Sequence, residues 1–161
     1  GFKMGPAIPP SAKDIPSGCS DFEVIIARGT SESNAKVDGK FGTIVGDPLM
    51  RNLTAIMPNA RGYPYPASSN AAADTTTGRI DVIKRLTSQS AACPSQKFAL
   101  VGYSLGAAVI HAAGAKMPEA LVPKVLAVVL YGDPLLVSAG GVGKLPAALD
   151  DRLLENCSKG D

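Results

Sequence analysis

A serine at position 104 stands between two glycines, in Gly102-Tyr103-Ser104-Leu105-Gly106. This is the G-x-S-x-G pattern, which presents a nucleophilic hydroxyl on a sharp turn between a strand and a helix. The flanks suit that geometry. The apolar run Phe98-Ala99-Leu100-Val101 precedes it, and an alanine-rich stretch without proline, Leu105 to Lys116, follows. In so tight a turn a side chain at either flanking position would strike neighbouring backbone, which glycine avoids. The serine itself is forced into a strained, exposed conformation. The following helix aims its positive end at the site, favouring the negative charge of a tetrahedral intermediate. The Leu105 amide is then a natural oxyanion donor, and the chemistry implied is acyl transfer through Ser104.

A serine hydroxyl is too weakly acidic to attack unaided; it needs a base, and the base needs an orienting acid. His111 is the single histidine of the chain. It lies two helical turns beyond Ser104, about 10 Å along the axis, out of hydrogen-bond reach. His111 therefore reads as a packed or surface histidine rather than the base. Two aspartates follow later strands and are candidates for the acid: Asp133, in Tyr131-Gly132-Asp133-Pro134, and Asp161. Either also fits a turn-forming Asx role. A second oxyanion donor is expected in the loop after an early strand, here Ala27-Arg28-Gly29-Thr30-Ser31-Glu32. Thr30 offers an amide and a hydroxyl there, and Arg28 and Glu32 are spaced to pair across the loop. Spacing alone fits an ordinary polar turn equally well.

The elements that must position these residues alternate in type. Continuous apolar runs mark strands covered on both faces: Phe22 to Ala27, Phe98 to Gly102 and Val125 to Tyr131, with weaker strands over Leu53 to Met57 and Arg152 to Asn156. Asp74 to Ala91 is read as an amphipathic helix and Leu105 to Lys116 as a buried one. Tyr63-Pro64-Tyr65-Pro66 is read as an apolar loop, and the glycine-rich 139–143 as a surface loop without the strand-to-helix setting of a phosphate loop. The fold class is α/β, with a mainly parallel central sheet of about five strands flanked by helices. Four prolines within the first 18 residues disfavour regular structure. Residues 1–18 are thus read as a leader and residues 19–161 as the folded domain.

Composition narrows the partners. With 45% hydrophobic and 19% charged residues and a net charge of +2, the chain is an ordinary globular one with no basic surplus for nucleic acid. No apolar run reaches the roughly 18 residues of a membrane span, and the start lacks the apolar stretch of a signal peptide, so a secreted protein would be in processed form. Cys19, Cys93 and Cys157 show no metal-ligand spacing beside a lone histidine, and neither metal nor cofactor is expected. A Cys19 to Cys93 bridge would close a loop of about seventy residues, worth about 4 kcal/mol; three buried thiols are the alternative. Cys157 is odd in either case. Asn52-Leu53-Thr54 and Asn156-Cys157-Ser158 are sequons, the first better suited to glycosylation.

Taken together, Cys19, the strand running into Ala27-Arg28-Gly29-Thr30, Cys93-Pro94, Val101-Gly102-Tyr103-Ser104-Leu105-Gly106-Ala107, and Cys157 followed by Asp161 resemble the cutinase family of serine esterases. The likeness covers nearly all of the chain from Cys19. It implies a small three-layer α/β-hydrolase, secreted and monomeric, that hydrolyses cutin and other esters of short to medium acyl chains. It also implies a Cys19–Cys93 disulfide, Ser104 as nucleophile, Thr30 and Leu105 in the oxyanion hole, and Asp161 as triad acid, favoured over Asp133 by its spacing from Cys157. Two departures stand out. Leu105 replaces the family's usual glutamine, whose backbone amide alone is needed. The second cysteine, the histidine and the terminal helix that follow the acid in the family are not among these residues, which would account for the odd Cys157 and the lost base. The 161 residues alone are therefore expected to be inactive or nearly so. A non-catalytic binding or effector protein on this fold, and an esterase of the acetylxylan type acting on acylated polysaccharide, are the alternatives.

Overall fold

A computed structural model of the chain describes residues 12–30, 32, 40–65, 71–136 and 145–158. Five strands form one parallel sheet: β1 (Phe22–Ala27), β2 (Ala60–Tyr65), β3 (Lys97–Tyr103), β4 (Val125–Tyr131) and β5 (Leu153–Asn156), in the order β2-β1-β3-β4-β5. The chain moves outward from β1 in one direction to β2 and in the other through β3, β4 and β5. The order therefore reverses between β1 and β3, and the crevice above the carboxyl ends of those two strands is where open α/β sheets hold ligands. Thr30 follows β1 and Ser104 follows β3, one on each side of that crevice.

Helices α1 (Gly46–Ile56), α2 (Ala71–Ala92), α3 (Leu105–Gly114) and the short α4 (Ala147–Asp150) cover the sheet. Strand side chains alternate between two cores. Ile25, Leu100, Val128 and Leu130 face α2 and α3, packing with Val82, Leu86, Val109 and Ile110. Val24, Ile26, Ala99 and Val101 face α1 through Met50, Leu49 and Leu53. Three layers result, as expected of strands apolar on both sides. Among the described residues no helix is long and apolar enough to cross a membrane.

Two elements differ from the sequence reading. Leu53 to Met57 is not a strand but the end of α1, whose start carries Asp47 and Pro48, residues suited to a first helical turn. The strand lies just beyond, at Ala60–Tyr65, through the stretch read as a loop. Pro64 is tolerated because β2 is an edge strand, where a missing N–H leaves no ladder bond unmade. Helix α2 begins three residues before Asp74, and the glycine-rich 139–143 lies outside the described residues.

The base of the sheet is tied down. Cys19 and Cys93 form a disulfide across 74 residues. Glu23, fully buried in β1, accepts from Arg61 Nε at 2.7 Å and from Arg85 Nε and Nη2 at 2.8 Å. The same guanidinium groups donate onward to the carbonyls of Pro16, Ser17 and Gly18. Residues 16–18, read as part of a leader, are thus fastened to the domain. Cys157 is exposed and its thiol is free.

Candidate active site

Ser104 sits between β3 and α3 with φ 52°, the only non-glycine positive φ among the described residues. Such a conformation persists only where the surroundings over-determine it. They do so here by contact. A Cβ on Gly102 would stand 2.7 Å from the Ala107 backbone, and one on Gly106 would stand 1.9 Å from the Ala27 carbonyl oxygen. Helix α3 therefore approaches the end of β1 more closely than any side chain at those positions permits. The Ser104 amide donates to the Tyr131 carbonyl at 3.0 Å, and the Ser104 carbonyl accepts from Ala107 N at 2.8 Å. Ser104 itself is half-buried. Leu105 opens α3, so its amide belongs to the first turn, whose N–H groups lack intrahelical partners.

Thr30, half-buried, lies at the other side of the crevice. The loop leading to it is shaped by Glu32, whose buried carboxylate accepts Gly29 N at 2.9 Å on Oε2 and Ile44 N at 2.6 Å on Oε1. This clamp by backbone amides is a role that residue spacing did not disclose. Asp161 lies outside the described residues, which reach Ser158 two residues past β5.

His111 is buried in α3 and its Nε2 lies 2.6 Å from Asp133 Oδ2. The packed reading of His111 therefore holds, and a partner 22 positions away accounts for it. Asp133 is buried in the turn after β4; its Oδ1 accepts Leu135 N at 2.9 Å. Glu155 on β5 completes a cluster in which one donor atom from each residue lies within 4.8 Å of the others. Burial, then the charge of Asp133, raises the Glu155 carboxyl above the ordinary carboxylate range, and His111 opposes this. These are the described residues best grouped to hold a metal. Yet two ligands of one tetrahedral zinc ion stand about 3.3 Å apart, wider than the 2.6 Å between His111 and Asp133, so the pair is built as a hydrogen bond.

A parallel sheet with helices on both faces, and a strained serine on a glycine-flanked turn above its switch point, defines the nucleophile elbow of the α/β-hydrolase class. The sequence profile described as Cutinase matches residues 18–161. A cutinase of Trichoderma harzianum, cut1, is 36% identical over 121 residues, which make up 72% of this chain and 47% of that protein. The solved Trichoderma reesei cutinase bound to a phosphonate inhibitor is 32% identical, with TM-score 0.67 over 89% of this chain and 63% of that one. A solved acetylxylan esterase, 21% identical, shares the fold with TM-score 0.71 over 89% of this chain and 84% of that one. The chain belongs to the cutinase family, and it spans about half the length of the curated relatives it matches.

Proposed function

We propose that the protein is a serine esterase that hydrolyses carboxylic esters, such as cutin polyester and esters of short to medium acyl chains, through an acyl-enzyme on Ser104. The observation that carries this reading is the backbone of Ser104, held at φ 52° where β3 meets α3. Ser104 Oγ attacks the ester carbonyl and loses its proton to a base. The resulting oxyanion accepts from the Leu105 and Thr30 amides, and the alcohol leaves with the proton. Water then attacks the acyl-enzyme, releases the acid and restores the serine. Asp161 is the acid that orients the base. His111, buried against Asp133, is not read as that base. A phosphonate inhibitor bound to the Trichoderma reesei relative supports a site for tetrahedral acyl-transfer intermediates.

The disulfide supports a secreted, extracellular setting, since such bonds persist in oxidising compartments. Asn52, exposed on α1, is the better placed of the two sequons. The substrate is an ester of a polyester, lipid or acylated polysaccharide, and the protein acts as a monomer.

A fluorophosphonate probe tests the reading on the complete protein. Labelling at Ser104, abolished in Ser104→Ala, is the expected result; a folded protein that takes no label is instead a binding protein on this fold. Turnover of p-nitrophenyl butyrate well above that of acetylated xylan is expected, and the reverse order selects the acetylxylan type of esterase.

A further inference from the structure

The turn after β4 is hydrogen-bonded on both sides. Tyr131 O accepts the amide of Ser104, and one residue on, the Gly132 amide donates to Asn156 O at 2.9 Å. The first bond reaches the reactive serine; the second reaches the end of β5, from which the chain continues to Asp161. Gly132 adopts φ 51° and Asp133 follows it. The Asp133 side chain repeats the same pair of links at the level of charge. It meets His111, two turns into the helix that Ser104 begins, and Glu155, the residue before Asn156.

Resting on the reading of Ser104 as nucleophile, we propose that His111, Asp133 and Glu155 are positioning residues: one cluster, buried at His111 and Asp133 and half-buried at Glu155, that holds the nucleophile's helix and β5 in fixed register. Asp133 is the hub. Its Oδ1 is fixed by Leu135 N and its Oδ2 by His111, so its orientation is set before Glu155 is considered. Asp133 in the turn after β4 and Glu155 on β5 bring two carboxyl groups into one cluster, an arrangement that favours a proton on one of them. The raised affinity of Glu155 for that proton agrees with its being the donor toward Asp133. The groups facing Glu155 are Asp133, His111 from α3 and Asp150 from α4. Two atoms of the cluster, His111 Nδ1 and Glu155 Oε2, are buried without a hydrogen-bond partner among the described residues.

The test uses the complete protein with Asp133→Ala, Glu155→Ala and the conservative Glu155→Gln, read by kinetics and by hydrogen exchange at the Ser104 and Gly132 amides. Asp133→Ala and Glu155→Ala should lower kcat and the rate of fluorophosphonate labelling by about tenfold or more, with KM within about twofold, as expected when reacting groups are misplaced without loss of binding. Exchange at both amides should accelerate in these variants. Glu155→Gln, which keeps a donor toward Asp133, should restore kcat and amide protection. In the parent, protection corrected for intrinsic exchange should fall as pH rises through the Glu155 titration; in Glu155→Gln it should not. Should Asp133→Ala fail to fold, Glu155→Ala against Glu155→Gln carries the comparison. The proposal is overturned if folded Glu155→Ala keeps parental kcat and amide protection, or if Glu155→Gln behaves as Glu155→Ala. A parent that takes no label defeats the esterase reading alone, because amide protection still tests the cluster.

Discussion

Glu23 and Asp133 are both buried carboxylates beside basic partners, one at the base of the sheet and one at its carboxyl end. Their surroundings differ in saturation. Glu23 takes three guanidinium hydrogen bonds from two arginines, whose remaining donors reach backbone carbonyls of residues 16–18. Asp133 meets one histidine and faces a second carboxyl group, and two polar atoms of its cluster have no partner among the described residues. At the base the buried carboxylate is hydrogen-bonded on both oxygens, and its two arginines immobilise the chain's approach to β1. At the carboxyl end burial and the neighbouring Asp133 charge favour the protonated form of Glu155, in the cluster that the turn after β4 links to Ser104. Stability and reactivity thus occupy opposite ends of one sheet.

Breaking the saturated cluster should have the largest effect on stability. Glu23→Ala leaves two largely buried arginines facing each other without a carboxylate, and should cost about 3–5 kcal/mol, read as a lower urea midpoint. Replacing Cys19 and Cys93 with serine releases a loop across 74 residues at the same end of the sheet. That change should cost about 4 kcal/mol in the chain-entropy description. It should leave fluorophosphonate labelling of Ser104 intact where the protein remains folded, because the bridge is remote from the carboxyl ends of the strands. Loss of labelling in the folded variant would erase the division between the two ends.

The smallest effect sharpens the contrast. Burial raises the Glu155 carboxyl, followed by the Asp133 charge, so the fold favours the protonated form. That contribution is complete below the unfolded value of about 4.3 and is lost as pH rises through the higher folded value. Relative to the parent, Glu155→Gln should therefore show a thermal midpoint that falls less between about pH 4 and about pH 7. Equal slopes in the two proteins would show that Glu155 is not stabilised as the acid.

Much of the elbow was legible because its determinants are local. Gly102, Ser104 and Gly106 lie within five positions, and the runs on either side specify strand and helix independently of the rest of the chain. The edge strand was not legible, since Ala60–Tyr65 carries a proline and an arginine and becomes a strand only by pairing with β1. Leu53 to Ile56 has the composition of a strand, yet it continues a helix begun at Gly46 and held by the core it packs against. His111 was read as packed or on the surface, and burial selects the first; its partner is far along the chain and no periodicity links the two.

What the sequence by itself determined was the set of local commitments: apolar runs that must be covered on both faces, a turn that only glycine-flanked serine can make, and cysteines able to bridge. These follow from sterics and burial within a few residues. Only the tertiary structure decided which distant charges meet, because Glu23 with Arg61 and Arg85, and His111 with Asp133 and Glu155, are brought together by strand order and helix packing. Strand order likewise put the ends of β1 and β3, which lead to Thr30 and Ser104, side by side where the chain's direction reverses.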